Sequence, residues 1–272
     1  MFVGNLVSRL FAIAASIALS ACASGYAEFY KPVAGATPER IASMRAAPPG
    51  EPIVDRVSPP ADTGALVDAY AKRGYVLIGT SSFNSGSQES ESGAIEQARK
   101  VGADLVVILN PRYTGSTTTA MPMTTPTTTT SYSTGTATAY GAGGTVTAYG
   151  SGTTTTYGTK TTYIPLTVHR SDYGAGYFIK QRWGLGVIGR DLNDAERQEL
   201  QSNKGYVVRI VVDGTPAFMA DILPGDIITA VNGESLAGQE DAFRVVRERA
   251  GQKVRVSIVR RGQKLEKDVQ LN

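Results

Sequence analysis

Apolar positions change their period several times along the chain, and each change predicts an element. Residues 64–73 place Ala65, Leu66, Ala69 and Tyr70 at helical spacing, and Gly74 is a suitable stop. Tyr75-Val76-Leu77-Ile78-Gly79 then reads as a buried strand. From about Gly93 to Val101 the apolar residues Ala94, Ile95, Ala98 and Val101 fall on one helical face, with Ser92 as a candidate cap and Gly102 as terminator. Asp104 to Leu109 is a second, continuously apolar strand, as expected where both faces of a sheet are covered. Strand, helix and apolar strand in this order predict a parallel βαβ pair over 62–112. Tyr163–Val168 and Tyr177-Phe178-Ile179, within 164–182, read as strands that complete the same sheet.

Between these parts, residues 113–163 show no core-forming pattern. No charged residue lies between Arg112 and Lys160, and Thr dominates. Three related units, Thr136–Gly141, Thr145–Gly150 and Thr153–Gly158, alternate with period two and end in Tyr-Gly. The pattern fits short strands joined by Gly turns. A flexible low-complexity linker fits the composition equally well. A sugar-binding role for the row of Tyr residues is a third, weaker reading.

The C-terminal stretch, 183–272, returns to ordinary periodicity. It predicts strands at Leu185–Ile188, Tyr206–Val212, Ile227–Val231, Val254–Val259 and Leu265–Val269. Helices are expected at 194–202, Pro216–Asp221 and 240–249. Asn193 with Glu196 forms a capping-box pattern, and Asn232-Gly233 suits a tight turn with φ > 0.

The 272 residues allow one large or two small domains, 42% of them hydrophobic and 19% charged. A net charge of +3 gives no long-range field to gather nucleic acid. At the N-terminus Arg9 precedes an apolar run from Leu10 to Leu19, too short to cross a bilayer and of the length of a secretory h-region. The run ends in Leu19-Ser20-Ala21-Cys22, which resembles the lipobox of bacterial lipoproteins. That resemblance implies removal of residues 1–21 and a lipid anchor, such as palmitate, on Cys22, the single Cys of the chain. Ala23 in place of Asp leans toward the outer membrane, facing the periplasm. Residues 22–61 are rich in Ala, Pro and Gly and read as a tether with little secondary structure. The α/β unit that follows resembles small domains of other envelope lipoproteins, which implies no activity.

Gly184-Leu185-Gly186-Val187, Gly205–Val208, Val212–Ala217, Leu223–Ile228 and Val231-Asn232-Gly233 follow one another along this segment. In that order they resemble a PDZ domain of the kind that follows the protease domain in high-temperature-requirement serine proteases. Asp221 stands where many relatives carry Gly. The resemblance implies a groove that takes protein C-termini or extended peptides. Its loop at Gly184, Leu185, Gly186 and Val187 would hold the carboxylate, and the strand through Ile188 would pair with the peptide. Phe243 and Val246 would line the helix side, although core packing explains them as well. Arg182 would support the carboxylate or stand as a solvated charge.

Other chemistry finds little footing. Gly184–Gly189 matches G-x-G-x-x-G, but no buried strand precedes it and no helix opens at Gly189. Phe83–Ser87 faintly echoes a serine-protease nucleophile loop, yet the single His, His169, lies downstream. One His and one Cys provide no metal cluster. Arg and Lys residues between Arg244 and Lys264 fit a solvated surface better than contact with anionic headgroups. No catalytic residue, metal or cofactor is expected. The predicted fold class is α+β: a small α/β unit with a Thr-rich β extension, then a PDZ-like β-barrel with two to three helices. The expected function is a membrane-anchored, non-catalytic adaptor for protein C-terminal peptides. The rival expectation is a structural envelope lipoprotein whose PDZ fold packs within its own chain.

Overall fold

The computed structural model of the chain describes residues 24–59 and 62–272. Cys22 and the segment expected to be removed lie outside the described residues. Two compact units are present: residues 24–112 with Ser171–Asn272, and Tyr113–Arg170.

The first unit opens on α1 (Gly25–Glu28), β1 (Tyr30–Pro32), α2 (Pro38–Met44) and β2 (Ile53–Val57). Here the expectation of a tether is corrected. Strand β1 pairs antiparallel with β3 (Tyr75–Ser85), and β2 pairs in parallel with β4 (Leu105–Gly141). Tyr26 is 1% exposed and meets Phe83 edge to face, with 5.1 Å between ring centroids. Arg45 pairs with Asp104, and its guanidinium also donates to the Gly102 carbonyl at 2.7 Å. Strands this short carry too few residues for a period to show. Pro, which suggests a linker in sequence, is tolerated on an edge strand such as β1.

The five strands run in the order β1-β3-β5-β4-β2, where β5 spans Gly144–Lys180. The predicted parallel pair is therefore also corrected. The two strands of the βαβ unit are β3 and β4, joined through α4 (Glu91–Val101), but β5 lies between them and pairs antiparallel with β3. The apolar run in β4 is explained by covering on both faces. Val106 and Ile108 join Ala94 and Ala98 of α4, Tyr177 and Ile179 in one core. Leu105 and Val107 join Tyr70 of α3 (Thr63–Lys72) and Phe178 in the other. Helix α4 is capped by Ser90, two residues earlier than expected, through its Oγ and the Ser92 amide. It ends at Gly102 with φ 67°.

Within Tyr113–Arg170 the chain makes one two-stranded ribbon, not short strands with Gly turns or an irregular linker. The outer parts of β4 and β5 pair along their length and turn at Ala142-Gly143. Gly150 and Gly158, expected to turn the chain, sit within β5.

The remaining elements are β6 (Val187–Asp191), α5 (Asp194–Leu200), β7 (Tyr206–Val211), α6 (Pro216–Met219), β8 (Ile227–Val231), β9 (Glu234–Ser235), α7 (Gln239–Glu248), β10 (Lys253–Arg260) and β11 (Gln263–Gln270). Their sheet runs β11-β10-β8-β7-β6, with β9 paired to β8. It closes on a core that includes Leu185, Tyr206, Ala217, Ile222, Val245, Val256 and Leu271. Asn232 and Gly233 both have positive φ, 48° and 79°, as the turn between β8 and β9 requires.

Candidate functional site

Strand β6 ends its sheet, so one of its edges is paired with β7 and no strand of the described residues takes the other. Helix α7 lies along that open side and is tied to β6 at its start. Near its start, Asp191 at the end of β6 accepts from the Gln239 amide at 2.7 Å. Farther along, Val246 lies so close to Gly184 that a Cβ there would come within 2.8 Å of its Cγ1. Between these points Phe243 is 51% exposed and sits above Tyr206, with 6.4 Å between ring centroids. Tyr206 is buried beneath β6, and burial pushes its phenol up to about 12. An edge strand flanked by a helix is the arrangement to which an extended chain can add as a further strand.

The loop that enters β6 lies at the head of this edge. Gly186 has φ 89°, a region in which other residues are strained, and a Cβ there would lie 2.0 Å from Thr215 Oγ1. Thr215 is itself held by donating to the Val212 carbonyl at 2.6 Å. The loop carbonyls are all used: Gly184 accepts from Asn272 N at 3.1 Å, Leu185 from Ala217 N at 2.8 Å and Gly186 from Val212 N at 2.9 Å. Their amides are not. Among the described residues, the N–H groups of Gly184, Leu185 and Gly186 donate to no atom of the chain. Successive amides left as donors, over carbonyls that are tied back, form an anion-binding concavity.

The site residues read from the sequence thus separate by role. Gly184, Leu185, Gly186 and Val187 form the loop and its exit into β6, with the side chains of Leu185 and Val187 buried in the core. Ile188 is half-buried on the open-edged strand. Val246 packs partly on the core and lies close to Gly184. Phe243 is half-exposed beside Tyr206. Arg182 is exposed, and its backbone N–H donates to the Met44 carbonyl at 2.9 Å. No hydrogen bond or ion pair holds its guanidinium among the described residues.

Sequence reading gave no site role to Tyr206, Thr215, Asp191 or Asn272, although Tyr206 and Thr215 lie in the stretches that resemble a PDZ domain. The task of Thr215, facing Gly186, arises only when the two meet across the fold. Ser85 belongs to a local turn: its Oγ accepts from the Ser87 amide at 3.0 Å and donates to Glu89 at 3.1 Å. His169 is exposed beside the Tyr113 ring.

Residues 185–271 match the family model described as PDZ domain. A probable periplasmic serine endoprotease, DegP-like, of Hahella chejuensis is 33% identical over 96 residues, which cover 34% of this chain and 20% of that protein. The chain therefore spans about a fifth of the length of that curated relative. Among solved structures, the HtrA-type protease AlgW with a decapeptide is 24% identical over 36% of each chain, with a TM-score of 0.29. The HtrA3 PDZ domain bound to a phage-derived ligand is 21% identical over 34% of this chain and 86% of that one, with a TM-score of 0.30. Residues 185–271 of this chain are a PDZ domain, and over 96 residues the chain is similar to a DegP-like serine endoprotease.

Proposed function

We propose that this chain is a lipid-anchored envelope protein, held through Cys22 in the outer membrane and facing the periplasm. It is a non-catalytic adaptor whose PDZ groove takes the C-termini of other proteins. The observation that carries the reading is the set of free amides at Gly184, Leu185 and Gly186, set at the head of an unpaired strand edge. A terminal carboxylate would accept from those amides while the peptide backbone adds to β6. The apolar wall formed by Phe243 and Val246 favours an apolar last residue. The DegP-like relative, a probable periplasmic endoprotease, supports the choice of compartment.

Titrating the full chain with matched peptides, as free acids and as C-terminal amides, tests this reading. One strand of backbone pairing and one carboxylate give affinity on the order of micromolar, about −8 kcal/mol. Amidation removes the charge and costs about 1.5–3 kcal/mol, the range of hydrogen bonds to a charged group. Gly186→Val costs at least as much, because the loop cannot keep its conformation. Arg182→Ala costs less, since that charge is solvated.

A second reading has its own observation. The PDZ domain is fastened to the α/β unit: Asp213 N–H donates to Lys72 O at 2.9 Å, Trp183 Nε1 to Gly74 O at 3.4 Å, and Arg209 pairs with Asp68. On this reading the domain is an internal brace with no free ligand. Equal binding of acid and amide peptides would sink the adaptor and leave the brace.

A further inference from the structure

Tyr132, Tyr140, Tyr149, Tyr157 and Tyr163 are between 68% and 84% exposed, all within the ribbon. Their placement on it is ordered. The side chains of Thr118 and Thr167 meet at 2.9 Å and those of Thr124 and Thr161 at 3.2 Å, which sets the cross-strand register. In that register Tyr132 stands across from Thr153, Tyr140 from Thr145, Tyr149 from Thr136, Tyr157 from Thr128 and Tyr163 from Pro122. Side chains alternate between faces along a strand, so all five Tyr share one face. Toward the turn they recur at every fourth residue, about 13 Å apart at ~3.3 Å per residue.

The opposite face carries the glycines. Gly135, Gly141 and Gly150 fall there by the same alternation, as do Gly152 and Gly158, and Ala137 lies opposite Ala148 between them. None of these glycines has positive φ. A Cβ at Gly135, Gly141 or Gly150 would meet nothing within 4 Å. Neither backbone conformation nor packing inside the chain calls for glycine at these positions, and glycine weakens a strand. Glycine within a strand also marks a place where another chain approaches closely.

We infer that the ribbon is a self-association element, in which the Tyr face of one copy packs onto the Gly/Ala face of the next. A two-stranded hairpin alone is marginal in water, and a second layer about 10 Å away supplies the missing core. The ribbon has no charge between Arg112 and Lys160, so identical copies meet without like-charge repulsion and without the edge charges that block association. A buried Tyr covers ~150–250 Å², so five of them contribute about 1,000 Å². With the partner's share this reaches the roughly 1,200–2,000 Å² of a stable interface. Because the two faces differ, the contact is heterologous and leaves both faces available at the ends of a stack.

Sedimentation of the full chain in mild detergent, which keeps an acyl anchor from driving association, tests the inference. Wild type forms a concentration-dependent series of oligomers. Thr138→Lys with Thr147→Lys puts charge on the Tyr face, and Ala137→Lys with Ala148→Lys puts it on the other. Each pair shifts association to about a hundredfold higher concentration, the effect of burying like charges. An equal mixture of the two variants forms heterodimers and stops there, because each supplies the face that the other has lost. Circular dichroism and peptide binding, unchanged in both variants, exclude misfolding as the cause. A wild type that stays monomeric at tens of micromolar overturns the inference, as does a mixture that stays monomeric. A monomer retained on an immobilised polysaccharide, with retention lost on replacing the Tyr residues by Ser, overturns it in favour of a saccharide surface.

Discussion

Asp226 is 1% exposed, and its neighbours account for every bond it makes. Arg260 grips its two oxygens at 2.7 Å each, and the Leu223 amide donates to it at 2.8 Å. The same guanidinium donates to the Asp221 carbonyl at 2.7 Å. Asp221 has φ 54°, a conformation that Gly adopts freely and other residues rarely do. The aspartate that the sequence presents as part of a family signature is thus a structural hub at the turn into β8. Arg260→Ala leaves a buried carboxylate unpaired and is expected to destabilise the protein by about 3 kcal/mol. Arg260→Lys retains the charge but not the two-pronged grip and should fall between the two. Urea midpoints of the three proteins check the order. Gly186 makes a similar point: the sequence shows a small residue, and only the 2.0 Å approach to Thr215 shows why nothing larger fits.

Helix α5 shows how much an element can reveal from a few residues. Asn193 accepts from Glu196 N at 2.9 Å, and the Glu196 carboxylate accepts from Asn193 N at 2.9 Å, the reciprocal box that the spacing predicts. Arg190 adds a two-pronged contact at 2.7 Å and holds the Glu196 carboxyl down at about 2. Asn193→Ala should cost about 1 kcal/mol. A lowered carboxyl stabilises the fold fully above its ordinary value of about 4.5, and that part is lost as pH falls toward about 2. Thermal unfolding from pH 7 to pH 2 should therefore show a loss that is smaller in Glu196→Gln, which has no carboxylate to protonate. Strands are less self-contained. The run at Leu105–Leu109 is plainly apolar, but a parallel neighbour cannot be told from an intervening β5, because pairing joins residues 75–85 to 171–180 across a long stretch of chain.

For the whole molecule, the proposed anchor makes a direct prediction. Cys22→Ser should move the protein from the membrane to the soluble periplasmic fraction, since stable anchoring needs more than one acyl chain. Mass spectrometry should find acyl groups on the wild type alone. Unchanged fractionation, with no acyl mass on the wild type, would remove the anchor from the account. The sequence by itself determined the capping box of α5 and the Asn-Gly turn between β8 and β9. Each of these is a short-range signal, written in residues a few positions apart. Only the tertiary structure decided that residues 25–57 add strands to the sheet and that β5 separates β3 from β4. It also decided that Tyr and Gly divide between the two faces of one ribbon. Those outcomes depend on register and on contacts between distant residues, and no local period encodes either.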